Sequence, residues 1–138
     1  MTAPRILIVE DNAIVAYNLQ DKLLEMGYEP CGVLFSGQDA VARLPELEPD
    51  LVLMDIVMPG LNGFQATRQL TRDPQTAAIP VIMLTSKDEE IDEILGFNLG
   101  ADDYIHKPFS QRLLIERVKA LLRRTGADGA EPDPAGDS

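Results

Sequence analysis

Three short apolar runs constrain this chain most: Ile6-Leu7-Ile8-Val9, Leu51-Val52-Leu53-Met54 and Val81-Ile82-Met83-Leu84. None of them alternates with polar residues. Unbroken β-branched and leucine runs of this length read as strands buried on both faces, and such strands belong to parallel sheets covered by helices on each side. Two weaker strands fit the gaps, Pro30 to Leu34 and Asp103 to His106.

Helical patterns separate the strands. Asn12 is an N-cap residue, Val15, Leu19, Leu23 and Met26 follow at helical spacing, and Gly27 ends the run. Ser36 and Asp39 open a second helix that carries Val41, Leu44 and Leu47 and stops before Pro49. A third runs from about Asn62 to Arg72, before Pro74. Ser86-Lys87-Asp88-Glu89 is a capping-box pattern that opens a fourth, with Ile91, Ile94 and Leu95, closed by Gly100. Ser110 caps a fifth, with Leu114, Val118 and Leu121 on one face, ending near Arg124. Strand followed by helix, five times over, predicts a doubly wound α/β domain over residues 1–124. From Thr125 to Ser138 the chain turns to Gly, Ala, Pro and acids without apolar periodicity, the composition of a disordered tail.

Composition excludes several classes. With a formal net charge of −11 the surface repels nucleic acid and anionic lipid. No apolar run approaches the roughly 18 to 20 residues of a membrane span. Glu10, Asp11 and Asn12 interrupt any signal-peptide pattern at the start. Cys31 is the single cysteine, so no disulfide framework exists and a reducing cytoplasm is the expected setting.

In an open parallel sheet, ligands bind beyond the carboxyl ends of the strands, where the winding reverses. Glu10-Asp11 follow the first strand, Asp55 the third, Thr85-Ser86 the fourth and Lys107-Pro108 the fifth. Three carboxylates, a hydroxyl and an ammonium therefore arrive at one edge. Three carboxylates in one pocket repel and take up protons unless a cation compensates. Hard oxygen donors with no histidine or thiolate select magnesium over zinc. Magnesium and the Lys107 ammonium together balance the three acids. Phosphorylating an aspartate adds negative charge and acceptor oxygens, which Thr85 and Lys107 are placed to meet.

The chain resembles the response-regulator receiver family from about Arg5 to Arg124. The matching segments are Ile-Val-Glu-Asp (8–11), Pro-Asp-Leu-Val-Leu-Met-Asp (49–55), Met-Pro-Gly-Leu-Asn-Gly (58–63), Pro-Val-Ile-Met-Leu-Thr-Ser (80–86) and Gly-Ala-Asp-Asp-Tyr-Ile-His-Lys-Pro-Phe (100–109). Each alone is weak, but all five in order at these spacings are specific. The resemblance implies a flavodoxin-like fold with strand order 2-1-3-4-5. It implies that Asp55 is the phosphoacceptor nucleophile, that Asp11 binds magnesium directly and Glu10 through water, and that the backbone carbonyl of Val57 completes the protein's ligands. Thr85 resembles the hydroxyl that follows the phosphoryl group and Lys107 its pairing ammonium, with a cis bond to Pro108. Tyr104 resembles the aromatic switch that turns inward when Thr85 moves. The implied activity is not turnover of a substrate, since such a chain catalyses only its own phosphorylation and dephosphorylation. The implied partners are a histidine kinase or phosphotransfer protein and a downstream protein that reads the face between the fourth and fifth helices.

Plainer readings exist for each residue. Glu10 and Asp11 suit helix capping, Asp55 a turn, Thr85 a strand end, Lys107 a solvated surface and Tyr104 a half-exposed strand position. His106 reads as a surface histidine and Cys31 as a small strand residue. A flavin-binding protein shares the architecture but needs a phosphate cradle after the first strand, where Glu10-Asp11-Asn12 would repel one. An aspartate-based phosphohydrolase would place an Asp-x-Asp pattern there. A module that has lost phosphorylation would lack one of the acids, the threonine or the lysine.

The output is mixed in character. Residues 58–88 resemble stand-alone receivers, including those of surface-motility systems, whereas residues 100–124 resemble receivers of winged-helix transcription regulators. Nothing beyond Arg124 is able to fold as an output domain, so either a stand-alone receiver or one excised from a longer chain is expected. The predicted fourth helix carries Asp88, Glu89, Glu90, Asp92 and Glu93. In a two-fold dimer these acids would meet Asp102 and Asp103 of a second copy and repel them, despite the bases Arg117, Lys119, Arg123 and Arg124. A monomer or weak dimer is therefore expected.

Overall fold

A computed structural model describes residues 3–86 and 100–127. The strands are β1 (Arg5–Val9), β2 (Glu29–Leu34), β3 (Leu51–Asp55), β4 (Val81–Ser86) and β5 (Asp103–Lys107). The helices among the described residues are α1 (Ala13–Glu25), α2 (Gly37–Leu47), α3 (Gly63–Arg72) and a C-terminal helix (Gln111–Thr125). All strand pairs are parallel and the order is β2-β1-β3-β4-β5, as the sequence implies. Of the expected capping box and fourth helix, everything after Ser86 up to residue 99 lies outside the described residues, as does the tail from 128 onward.

The unbroken apolar runs have a direct cause. Successive side chains of a strand point to opposite faces, and here both faces are covered. Leu7, Val9, Val52, Met54, Val81 and Met83 point to one side, where Ala40 and Leu44 of α2 and Ala66 and Leu70 of α3 cover them. Ile6, Ile8, Leu51, Leu53, Ile82 and Leu84 point to the other, against Ala16, Leu19 and Leu23 of α1 and Leu114, Val118 and Leu121 of the C-terminal helix. Each such side chain contributes about 1.5–3 kcal/mol by leaving water, so no position in a run tolerates a polar residue cheaply.

The helix starts follow the sequence. Asn12 Oδ1 accepts from the amides of Ile14 and Val15 at 3.0 and 3.2 Å. Ser36 Oγ accepts from Asp39 N, and Ser110 Oγ from Leu113 N, both at 3.1 Å. Asn62 and Gln65 form a reciprocal capping box at 2.9 Å in each direction. The last helix runs one residue past Arg124, and Gly126, in the left-handed region at φ 80°, closes it. Ala127 N then donates to Leu122 O at 2.9 Å, so the ordered part extends slightly into the stretch read as tail.

Candidate functional site

The acids converge because the parallel strands end at one edge. Val9 of β1 lies opposite both Leu34 of β2 and Met54 of β3. Glu10 follows directly, and its amide donates to Leu34 O at 2.9 Å, which carries the ladder one residue past the strand. Asp55 is the last residue of β3, Lys107 the last of β5, and Thr85 lies within β4 rather than after it. Carboxylate oxygens of Glu10, Asp11 and Asp55 all lie within 4.8 Å of one another. Glu10 and Asp55 are buried, at 2% and 6% exposure, while Asp11 sits at the open rim.

Lys107 joins the two buried acids. Its Nζ donates to Glu10 Oε1 at 2.9 Å and to Asp55 Oδ1 at 3.1 Å. Burial alone would lower the Lys107 ammonium, but hydrogen bonding and attraction from Glu10 and Asp55 outweigh it and hold it above the usual lysine range. Glu10 Oε2 accepts from Asn12 N at 3.2 Å, tying the pocket to the cap of α1. The Asp11 carboxyl is raised by lost hydration, then by a hydrogen bond with Glu10 and repulsion from it, against a smaller pull from Lys107. Because Asp11 faces water, the repulsion is the part that a bound cation would remove.

One ammonium does not neutralise three carboxylates. Two unit charges 4.8 Å apart repel by about 3.5 kcal/mol at an effective dielectric of about 20, and by less on the side of Asp11 that meets water. The donor set is entirely carboxylate oxygen, with no histidine or thiolate in the cluster. Such a set fits a small hard divalent ion of the magnesium kind.

Thr85 is buried at 1% exposure and lies opposite His106 in the register, one step from Ser86–Lys107. Tyr104 is packed inside the core between sheet and helices, so the half-exposed orientation is not the one observed. Val57 is exposed in the loop after β3. The Lys107–Pro108 bond is cis, as expected. His106 is partly buried in β5, and Cys31 is half-buried in β2 with its thiol raised by burial. A cleft of about 680 Å³, lined in part by Leu44, Pro49 and Ile79, lies at the opposite end of the sheet and contains none of these groups.

Sequence reasoning gave Gly63 no role of its own. A Cβ there would collide with the backbone of Asp55 and Ile56. Its amide donates to Ile56 O at 2.9 Å, so a glycine lets the start of α3 rest against the end of β3. The signal was present, as the last glycine of the 58–63 segment, but the contact partner was not.

A model of the response regulator receiver domain family matches residues 6–119. Protein PilH of Pseudomonas aeruginosa is 49% identical over 118 residues, covering 86% of this chain and 97% of that protein. The phosphate regulon transcriptional regulatory protein PhoB of the same species is 46% identical over 131 residues, covering 95% of this chain but only 57% of PhoB. Among solved structures, the receiver domain of sensor histidine kinase PA1611 from P. aeruginosa, which has a magnesium ion coordinated in its active site cleft, superposes with a TM-score of 0.78 at 30% identity, covering 91% of this chain and 99% of that one.

Proposed function

The chain belongs to the response regulator receiver domain family, and from that premise we propose that Asp55 accepts a phosphoryl group from a histidine kinase or phosphotransfer protein in a magnesium-dependent reaction. The observation that carries this reading is the group of three carboxylates within 4.8 Å, of which the two buried ones share Lys107. Glu10, Asp11 and Asp55 would hold the ion, together with the backbone carbonyl of Val57. When bound, the ion supplies two positive charges that offset the acids and the incoming phosphoryl oxygens.

In the transfer, a carboxylate oxygen of Asp55 bonds to phosphorus while the donor's nitrogen–phosphorus bond breaks. The bonding pair leaves with the donor imidazole, which then takes a proton from solvent. Lys107 stays charged through neutral pH and meets the phosphoryl oxygens from the side of Glu10 and Asp55. Thr85 lies in the adjacent strand and offers its hydroxyl to the same oxygens. Drawing Thr85 toward them biases a two-state equilibrium that Tyr104 reports. The partner that reads the change is a downstream protein, and residues 87–99 of the face expected to meet it lie outside the described residues. The cycle is a single acyl phosphate made and hydrolysed in place, not turnover of a substrate, and its setting is the cytoplasm. Among the described residues no helix is long and apolar enough to cross a membrane.

A second reading, that this is the receiver of a longer DNA-binding regulator, draws on the likeness to PhoB, of which the chain spans just over half. Light scattering with beryllofluoride separates the two, since a dimer formed only with the mimic favours the regulator and a monomer throughout favours the stand-alone receiver.

The proposal itself is tested with acetyl phosphate. Wild type should label only when magnesium is present, and Asp55→Asn should not label at all. Equal labelling of the two proteins, or labelling of wild type in excess chelator, would overturn it.

A further inference from the structure

The cleft of about 680 Å³ at the amino end of the sheet is bounded by the last turn of α2 and by the segment that leads into β4. Leu44, Pro45, Pro49 and Ile79 are buried or partly buried and give it an apolar lining, while Glu46, Glu48 and Gln75 are exposed beside them. Three features give this cleft one sign of charge. A helix gathers partial negative charge at its carboxyl end, where the last carbonyls lack intrahelical donors, and a base in the last turn commonly answers it. The last turn of α2 holds no base, and Pro49 has no amide to offer the carbonyl of Pro45 four residues back. Arg43 reaches Glu46 at 3.1 Å, but among the described residues the Glu48 carboxylate makes no ion pair. Glu48 is also the only described residue other than glycine in the left-handed region, at φ 47°. Glycine takes that conformation at a helix end without strain. A carboxylate stands beside the cleft at the expense of the local backbone.

We propose that this cleft docks a basic segment of a partner protein, which lays an arginine or lysine along Leu44, Pro49 and Ile79 and sets its charged head at Glu48 and the carboxyl end of α2. Long cationic side chains bury an apolar stem and keep the charge at a polar edge, which is the pairing of surfaces found here. The other occupants fit worse. Residues 128–138 of this chain start close by, since Thr125, Gly126 and Ala127 line an adjoining hollow with Pro49 and Ile79. That segment brings Asp128, Glu131, Asp133 and Asp137 and no base, so the glutamates repel it. A second copy of the chain brings a net charge of −11 with it. The cleft contains none of Glu10, Asp11, Asp55 and Lys107 and lies at the other end of the sheet. A partner held there leaves the acidic pocket uncovered, so the inference does not depend on phosphorylation.

The test titrates the full chain with a capped peptide of leucine and proline that carries arginine, and follows the backbone amides by NMR. The same peptide with glutamine in place of arginine is the control. The arginine peptide should shift amides of residues 44–48 and 75–79, and the glutamine peptide should shift them far less. Glu48→Gly removes the charge and relaxes the left-handed backbone, so it should unfold no more readily than wild type yet bind the arginine peptide about fivefold more weakly. Glu48→Gln should weaken binding to the same degree without relaxing the backbone. The double variant Asp21→Asn, Glu25→Gln, which removes two exposed charges from α1, should bind as wild type does. Shifts scattered over the acidic surface, or equal weakening in the α1 variant, would reduce the binding to net charge and overturn the site. Equal binding of the glutamine peptide, or no shift at the cleft, would also overturn it. Cleft amides that move with protein concentration in the absence of peptide would overturn it in favour of a second copy.

Discussion

Acids at the two ends of the sheet live in opposite conditions. At the amino end, Asp50 stands just before β3 and clamps β1: its amide donates to Arg5 O and its Oδ2 accepts from Arg5 N, both at 2.7 Å. Asp102 repeats the device two strand pairs further along, between β4 and β5. It stands just before β5, donates to Val81 O and accepts from Val81 N, both at 2.9 Å. Each clamp satisfies the first amide of a strand that has no ladder partner there. Asp102 also meets Arg124 at 3.4 Å, and Asp103 meets Arg117 at 2.9 Å. At the carboxyl end, Glu10, Asp11 and Asp55 cluster, and among the described residues one lysine, Lys107, pairs with two of them, Glu10 and Asp55. Acids that serve the fold have their donors built in. The three at the carboxyl end are left short of positive charge among the described residues.

The largest expected effect separates the ends by chemistry. Asp11→Ala should abolish labelling by acetyl phosphate, and Asp50→Ala should leave it near the wild-type rate, read by mass change over time. Comparable labelling of the two variants would erase the distinction.

Stability should separate them in the other direction. Asp50→Ala leaves the Arg5 amide without its acceptor and should cost about 1–3 kcal/mol in urea unfolding. Asp11→Ala removes a repelled charge and should raise the unfolding midpoint slightly in magnesium-free buffer. A fall in midpoint for Asp11→Ala would mean that the acidic cluster is not repulsive. Lys107→Ala removes the one ammonium between two buried acids. Discounted for the part of Lys107 that water reaches, the cost should be about 1–3 kcal/mol, and magnesium should restore some of it.

The smallest effect concerns pH. The Asp102 carboxyl is raised above its ordinary value of 3.8 by burial first and by Asp103 second, against the Val81 amide and Arg124. A raised acid binds its proton more tightly in the folded state. Its contribution is therefore fully present below the ordinary value and is lost as pH rises through the folded one. Asp102→Asn keeps an acceptor for Val81 N and does not titrate. Unfolding of both proteins at about pH 3 and about pH 7 should show wild type losing ground to the variant as pH rises, and a trend of opposite sign would reject burial as the main cause.

What the sequence made legible is what depends on neighbours along the chain. The buried runs gave β1, β3 and β4, and Asn12, Ser36 and Ser110 marked their helix starts, because periodicity and caps act within one turn or one strand. The weaker edge strand β2 begins at Glu29, one residue early, since Glu29 is exposed and Pro30 to Val33 are only partly buried, so they carry little pattern. The carboxyl-end acids were legible because parallel strands must end together. The clamps were not. Asp50 lies 45 residues from its amide and Asp102 lies 21 from its own. An aspartate before a strand reads as an ordinary turn. Asp102 and Asp103 drew notice only as acids that would repel a second copy, and their pairs with Arg124 and Arg117 of the same chain were not legible. Lys107 was expected at the phosphoryl group, but its bond to Glu10, 97 residues away, could only come from the fold.

The most direct test of the central claim is the position of the label. Wild type is treated with acetyl phosphate and magnesium, the acyl phosphate is reduced with borohydride, and the digest is mapped by mass. The account predicts reduction at Asp55 alone, with Glu10, Asp11, Asp50 and Asp102 untouched. Reduction at any of those four in place of Asp55 would contradict it.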